Sequence, residues 1–181
     1  MTARESAAQL LARAARVRLV AMDVDGTLTD GRIVIGDKGE LAKRFSVRDG
    51  LGLSLLRRAG IELAIITGRE SRIVERRAAE LGIVHVLQKV VDKRAALAAL
   101  CDRLRIDIDA SAFVGDDWPD LPAMLACGFA AAPRDAEPEV LAIAHWVSQR
   151  PAGDGAIRDL ATTLLRAQQR FDGLLAEFNP G

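Results

Sequence analysis

Short apolar runs that turn polar at their last residue alternate along this chain with amphipathic stretches. Residues 17–23 read as a buried strand that runs into Asp23 and Asp25, and Gly26, free to adopt positive φ, ends it. Before it, residues 3–15 read as an amphipathic Ala/Leu/Arg helix. After it, Ile33-Val34-Ile35 and Leu41 to Phe45 flank the Gly/Asp-rich turn 36–39, the pattern of a β-hairpin. A helix over 50–59 ends at Gly60 and another over 70–81 ends at Gly82, both C-cap glycines. Strands are predicted at 61–66, 83–87, 111–115 and 128–132, and helices at 93–105, 120–126 and 137–143. His145-Trp146-Val147 reads as a short edge strand. Ile157, Leu160, Leu164, Leu165, Phe171, Leu174, Leu175 and Phe178 form an apolar stripe on a terminal helix. The order predicts an α/β fold, a doubly wound parallel sheet with a small hairpin flap. No repeat, low-complexity segment or linker interrupts it, so residues 1–181 are expected to form one domain.

Composition narrows the picture. Half the residues are hydrophobic but only 4% are aromatic, so Ala, Leu, Ile and Val must build the core. Twenty-five basic and twenty-five acidic residues cancel, which favours neither a nucleic-acid partner nor an anionic membrane surface. Arg4, Arg13, Arg16 and Arg18 break up any apolar stretch near the N-terminus, so no signal peptide is expected. The longest uncharged stretch, 121–133, falls short of the about 20 residues that a membrane span needs. Cys101 and Cys127 have no paired spacing and read as two buried thiols in a reduced cytoplasm.

Four segments at predicted strand ends carry polar residues that a folding core does not need. They are Asp23 with Asp25, Thr67-Gly68-Arg69, Lys93, and Gly115-Asp116-Asp117 with Asp120. In a parallel sheet those ends converge on one edge. The inventory suits phosphoryl transfer. A phosphate ester is doubly anionic, so a carboxylate attacks it only when charge is neutralised, which Mg²⁺ does through oxygen ligands. Asp23 and Asp116 would supply carboxylates to the metal and Asp25 its backbone carbonyl. Lys93 and the Thr67 hydroxyl would hold the phosphate oxygens. Asp23 would form an aspartyl-phosphate, while Asp25 would protonate the leaving alkoxide and then deprotonate the attacking water.

Each residue also has a plainer reading. Lys93 could be a surface lysine, with Lys89 as its rival, and Thr67 a helix cap. Asp117 and Asp120 either orient the site or are first-turn acids favoured by a helix dipole. His85 and His145 read as structural, and Trp118 as exposed near the site or packed at a subunit contact.

Taken in order and at strand ends, Asp23-x-Asp25-Gly26-Thr27, Thr67, Lys93 and Gly115-Asp116-Asp117 resemble the haloacid dehalogenase-like phosphatase superfamily, across roughly residues 16–166. The resemblance implies a Rossmann-like core. Residues 24–66 separate Asp23 from Thr67 and 68–92 separate Thr67 from Lys93, too little for a folded cap domain beside the elements predicted there.

Leu28-Thr29-Asp30-Gly31, Phe45 to Gly50, Ile65 to Arg69 and Gly153 to Arg158 are further similar to the family of 3-deoxy-D-manno-octulosonate 8-phosphate phosphatases. That similarity implies a capless, Mg²⁺-dependent, cytoplasmic homotetramer that acts on a small sugar-acid phosphate in lipopolysaccharide precursor synthesis. The flap, residues 32–45, would pack at the tetramer centre, and Arg48 and Arg69 would face the sugar's carboxylate, which suits a guanidinium. Two positions depart from the family pattern: Lys89 stands where a glycine is usual, and Asp154 where the tail loop usually carries a base. A nine-carbon ester, ketodeoxynonulosonate 9-phosphate, is the nearest competing substrate. A phospho-receiver domain is a remote alternative, because its acceptor Asp ends the third strand, which here ends in Leu87-Gln88.

Overall fold

The computed structural model describes residues 6–179. Helix α1 (Ala7–Arg16) starts from a capping box between Ser6 and Gln9; residues 3–5 of the expected helix lie outside the described residues. The first apolar run becomes β1 (Leu19–Met22), buried along its length. A hairpin, β2 (Val34–Gly36) and β3 (Gly39–Ala42), follows. Helix α2 (Val47–Arg58) begins three residues before the expected start, because the Ser46 hydroxyl accepts the Asp49 N–H and caps it. Next come β4 (Glu62–Ile66), α3 (Arg72–Leu81), β5 (His85–Leu87) and α4 (Lys93–Leu104). Then β6 (Ser111–Val114), α5 (Leu121–Ala126), β7 (Phe129–Ala132), α6 (Pro138–Ile143) and the short β8 (Trp146–Val147) complete the alternation.

The apolar stripe expected on one terminal helix is divided between α7 (Ala156–Ala167) and α8 (Phe171–Ala176). Gln169 adopts a left-handed φ of 56°. The Arg170 N–H donates to the Leu165 carbonyl (2.8 Å) and the Gln169 N–H to that of Arg166 (3.0 Å), the bond pair of a Schellman ending.

The main sheet is parallel, in the order β5-β4-β1-β6-β7-β8. A strand buried on both faces reads as one apolar run, which is why β1 sits in the middle. Alternate side chains serve opposite faces. Val20, Met22, Leu63, Ile65 and Val114 pack with Leu53, Leu56, Ile157, Leu160 and Leu164 from α2 and α7. Leu19, Ala21, Ala64, Ile66 and Phe113 pack with Leu97, Leu100 and Met124 from α4 and α5. The strand order reverses between β1 and β6, the crevice where open α/β sheets bind ligands. The segments between the motifs hold the hairpin with α2, and α3 with β5, so neither contains a cap domain. The hairpin forms its own two-stranded sheet and leaves Val34, Ile35 and Leu41 exposed. No helix among the described residues is long and apolar enough to cross a membrane.

One buried acid ties together the two helices on that first face. Asp49 on α2 accepts the Gly155 N–H (3.1 Å) and the Arg158 N–H (2.8 Å) at the start of α7. Its carboxylate also lies at a helix N-terminus, where negative charge is favoured. Replacing it leaves two donors without their partner, so Asp49→Ala is expected to lower unfolding free energy by about 2–4 kcal/mol, read from the midpoint of a urea titration.

Candidate active site

The Asp23 N–H still donates to the Val114 carbonyl of β6 (3.0 Å), so its side chain leaves the sheet at the carboxyl edge. Residues 24–29 then close into a tight loop, in which the N–H groups of Thr27, Leu28 and Thr29 all donate to the Val24 carbonyl. The loop passes so close to Asp116 that a Cβ on Gly26, at φ 89°, would lie 2.0 Å from Asp116 Oδ2. Only glycine fits there. The Thr27 hydroxyl donates to Asp116 Oδ1 at 2.7 Å. After β6, Gly115 leaves room for Asp120 to fold back, since a Cβ there would lie 2.4 Å from that of Asp120. Asp120 Oδ2 accepts the N–H groups of Asp116 (3.0 Å) and Asp117 (3.3 Å). Its Oδ1 accepts from Lys93 Nζ (2.6 Å), and that ammonium lies 3.1 Å from Asp23 Oδ1.

Asp23, Asp116 and Asp120 each offer an oxygen within 4.8 Å of the others. Burial, with repulsion from Asp120, raises the Asp23 carboxyl from 3.8 to about 6, although Lys93 pulls it down. Burial raises Asp116 further, to about 7; the Thr27 hydrogen bond opposes this, and the Asp120 and Asp23 charges add to it. Burial pushes Lys93 down, but its two carboxylate partners outweigh it and the ammonium is raised above its ordinary value. Asp23 Oδ1 is buried, and its one polar neighbour is the Lys93 ammonium at 3.1 Å. A site with three hard oxygen donors and one cation is short of positive charge, and its residues fit a magnesium ion.

The structure brings together most of the residues expected from sequence. Thr67 is buried at the end of β4, its hydroxyl accepting the Arg69 N–H at 3.4 Å, and Gly68 is exposed beside it. Of the two rival lysines, Lys93 is in the cluster, whereas Lys89 pairs with Glu70 at 2.6 Å on the surface. Lys89 holds a left-handed φ of 57°, which accounts physically for a glycine at that position. Asp120 is bonded to Lys93 and two backbone N–H groups, whereas Asp117 is exposed and its carboxylate accepts the neighbouring Trp118 N–H at 2.6 Å, capping its own turn. Arg48 is exposed on the first turn of α2 and makes no hydrogen bond or ion pair among the described residues. No hydrogen bond or ion pair joins it to the cluster. His85 lies between Glu62 and Arg103, and His145 accepts the Ala130 N–H at 2.8 Å, both in structural roles. Trp118 is 61% exposed and donates to Glu139.

Asp25 turns its side chain away from the triad. Its Oδ2 lies 3.6 Å from Arg69 Nε, and its Oδ1 accepts from Lys43 Nζ. Sequence reasoning missed Lys43, Glu40 and Ser71, which extend the site into the flap. Lys43 Nζ is 3.1 Å from Glu40 Oε2, and the Ser71 hydroxyl donates to Glu40. The one available signal was a Glu-x-x-Lys charge pair on a hairpin whose other strand positions are apolar.

An acidic triad with one buried lysine, at the reversal point of a capless parallel sheet, defines a hydrolase class. The description "haloacid dehalogenase-like hydrolase" belongs to a family model that matches residues 40–128. Relatives narrow the class. The 3-deoxy-D-manno-octulosonate 8-phosphate phosphatase of Yersinia pestis is 41% identical over 91% of this chain and 88% of its own length. That of Escherichia coli K12 is 42% identical, with the same coverage. The Moraxella catarrhalis enzyme of that name, in a crystal structure with a magnesium ion, a phosphate ion and a KDO molecule, superposes with a TM-score of 0.93. It is 41% identical, and the match covers 96% of this chain and 99% of the other. The chain belongs to the 3-deoxy-D-manno-octulosonate 8-phosphate phosphatase family of haloacid dehalogenase-like hydrolases.

The raised carboxyls make metal binding testable without catalysis. The folded protein holds protons on Asp23 and Asp116 more tightly than the unfolded chain does. Their stabilising effect is therefore complete below about pH 4 and lost as pH rises through about 6 to 7. Mg²⁺ needs both groups ionised. Added Mg²⁺ should raise the Tm more at pH 8 than at pH 5.5; equal shifts in a thermal scan would contradict this metal site.

Proposed function

We propose that this protein hydrolyses 3-deoxy-D-manno-octulosonate 8-phosphate to the free sugar acid and phosphate. The observation that carries the reading is the acidic triad with Lys93, set in a fold that matches a phosphatase structure holding magnesium, phosphate and KDO. Asp23 attacks phosphorus, and the ester oxygen leaves as it takes a proton from Asp25. Asp25 then removes a proton from water. That water attacks the aspartyl-phosphate, releasing phosphate and restoring Asp23. Lys93 and the Thr67 hydroxyl hold the non-bridging oxygens, with Gly68 leaving space beside them. Asp23, Asp116 and the Asp25 backbone carbonyl would hold Mg²⁺, which when bound neutralises charge on the phosphoryl group. Asp120, already bonded to Lys93 and two backbone N–H groups, keeps the lysine aimed at Asp23. Arg69, half-exposed beside Asp25, suits the sugar's carboxylate.

We also read the protein as a cytoplasmic homotetramer in lipopolysaccharide precursor synthesis, with residues 1–181 as one phosphatase domain. A two-stranded hairpin that exposes Val34, Ile35 and Leu41 is marginal alone. Packing of flaps at a tetramer centre would cover those side chains.

Phosphate release from this ester with Mg²⁺, measured beside ketodeoxynonulosonate 9-phosphate and other phosphomonoesters, should favour the eight-carbon ester and stop with EDTA. Asp23→Asn should lower kcat by more than about 10³-fold. Preference for another ester would overturn the substrate assignment. Deleting residues 36–39 should reduce the assembly below a tetramer by light scattering, and an unchanged mass would contradict the role of the flap.

A further inference from the structure

Lys43 lies just beyond β3, and none of its side chain is exposed. Its ammonium sits between two carboxylates: it donates to Asp25 Oδ1 and lies 3.1 Å from Glu40 Oε2. Glu40 is fastened in turn. Burial pushes its carboxyl up, but the Ser71 hydroxyl and Lys43 outweigh this and hold it below the ordinary range. Ser71 caps α3, and its N–H donates to the Gln88 side chain at 2.7 Å. Arg69 Nε, 3.6 Å from Asp25 Oδ2, flanks the same carboxylate from the other side. Asp25 is thus gripped between the flap and the segment after β4. The ammonium cannot reach a substrate, because no part of its side chain is exposed, yet it contacts the carboxylate proposed to carry the proton.

We propose that Lys43 is a positioning residue for Asp25, fixing that carboxylate against the hairpin so that proton delivery to the leaving oxygen depends on the flap being seated. The inference rests on the reading of Asp25 as proton carrier given above. Proton transfer needs heavy atoms within hydrogen-bond reach, and a shift of about 1 Å costs on the order of 100-fold. A buried cation with one partner on its own hairpin and one on the catalytic loop transmits such a shift directly. The exposed apolar side chains of the hairpin place its seating under the control of whatever covers them.

The test uses leaving-group dependence. An alkyl ester needs its departing oxygen protonated, whereas 4-nitrophenyl phosphate releases a stable phenolate that does not. Because kcat/KM reports steps only through departure of the alcohol, it isolates that proton transfer. Lys43→Met keeps the length and removes the charge. It should lower kcat/KM for 3-deoxy-D-manno-octulosonate 8-phosphate by about tenfold or more, and that for 4-nitrophenyl phosphate by less than about threefold. The Mg²⁺-induced Tm shift should persist. Lys43→Arg, which keeps the cation, should recover part of the loss on the alkyl ester alone. Equal losses on both esters would make Lys43 merely structural and overturn the proposal, as would no loss on either. Should Lys43→Met fail to fold, Glu40→Gln loosens the lysine from its far side and should give a smaller loss with the same selectivity; a uniform loss or none overturns the proposal. If the wild-type protein prefers another alkyl phosphomonoester, the substrate assignment falls and the comparison on that ester still decides the role of Lys43. If no alkyl ester is turned over, both fall.

Discussion

Asp23, Asp116 and Asp120 present oxygens within 4.8 Å of one another, and at an effective dielectric of about 20 each such pair of charges repels by roughly 3 kcal/mol. Much of the surrounding chain exists to hold that arrangement. Gly26 and Gly115 give up side chains so that backbone and carboxylates can approach. The Thr27 hydroxyl holds Asp116, and two backbone N–H groups with Lys93 hold Asp120. Lys93 balances only one of the three charges, and burial together with that deficit raises the proton affinity of Asp23 and Asp116. The same deficit that destabilises the metal-free cluster at neutral pH favours a divalent cation. A sheet packed on both faces makes the cluster rigid, so the strain cannot relax by separating the strands.

With no cap between the motifs, the hairpin is the element best placed to add to the site. It contributes through Lys43 and Glu40 rather than through its tip, so its influence on the chemistry passes through Asp25. The family relationship and the geometry meet here. The fold matches a structure with magnesium, phosphate and KDO in place, and the acids and Lys93 gather at the carboxyl edge of the sheet. Two positions that depart from the family pattern are accommodated differently. Lys89 accepts a left-handed backbone and pairs with Glu70, on the surface. Asp154 lies exposed in the loop that leads into α7, beside a polar cleft of about 460 Å³ that Arg32, Arg44 and Asp135 also line.

The main-sheet strands were legible because strands buried on both faces must be almost wholly apolar. Three of the four motifs were legible because a polar residue at the end of such a run has no packing role; Lys93 instead opens α4, beyond the loop after β5. Sequence by itself therefore determined the strand–helix alternation and the absence of a cap between motifs, and it singled out Asp23, Asp25, Thr67, Lys93 and Asp116 as candidates. The structure decided what depends on contacts between distant segments. It brought Lys93 rather than Lys89 to the acids, bonded Asp120 rather than Asp117 to that lysine, and divided the last helix at Gln169, a residue with no glycine-like signature. It alone showed Lys43 buried against Asp25. Local pattern reports which side chains a strand or helix must bury, because that follows from period and burial. Which group meets which across sequence separations of 18 to 106, as for Lys43 with Asp25 and Asp49 with Gly155, follows only from how the packed elements bring the chain together.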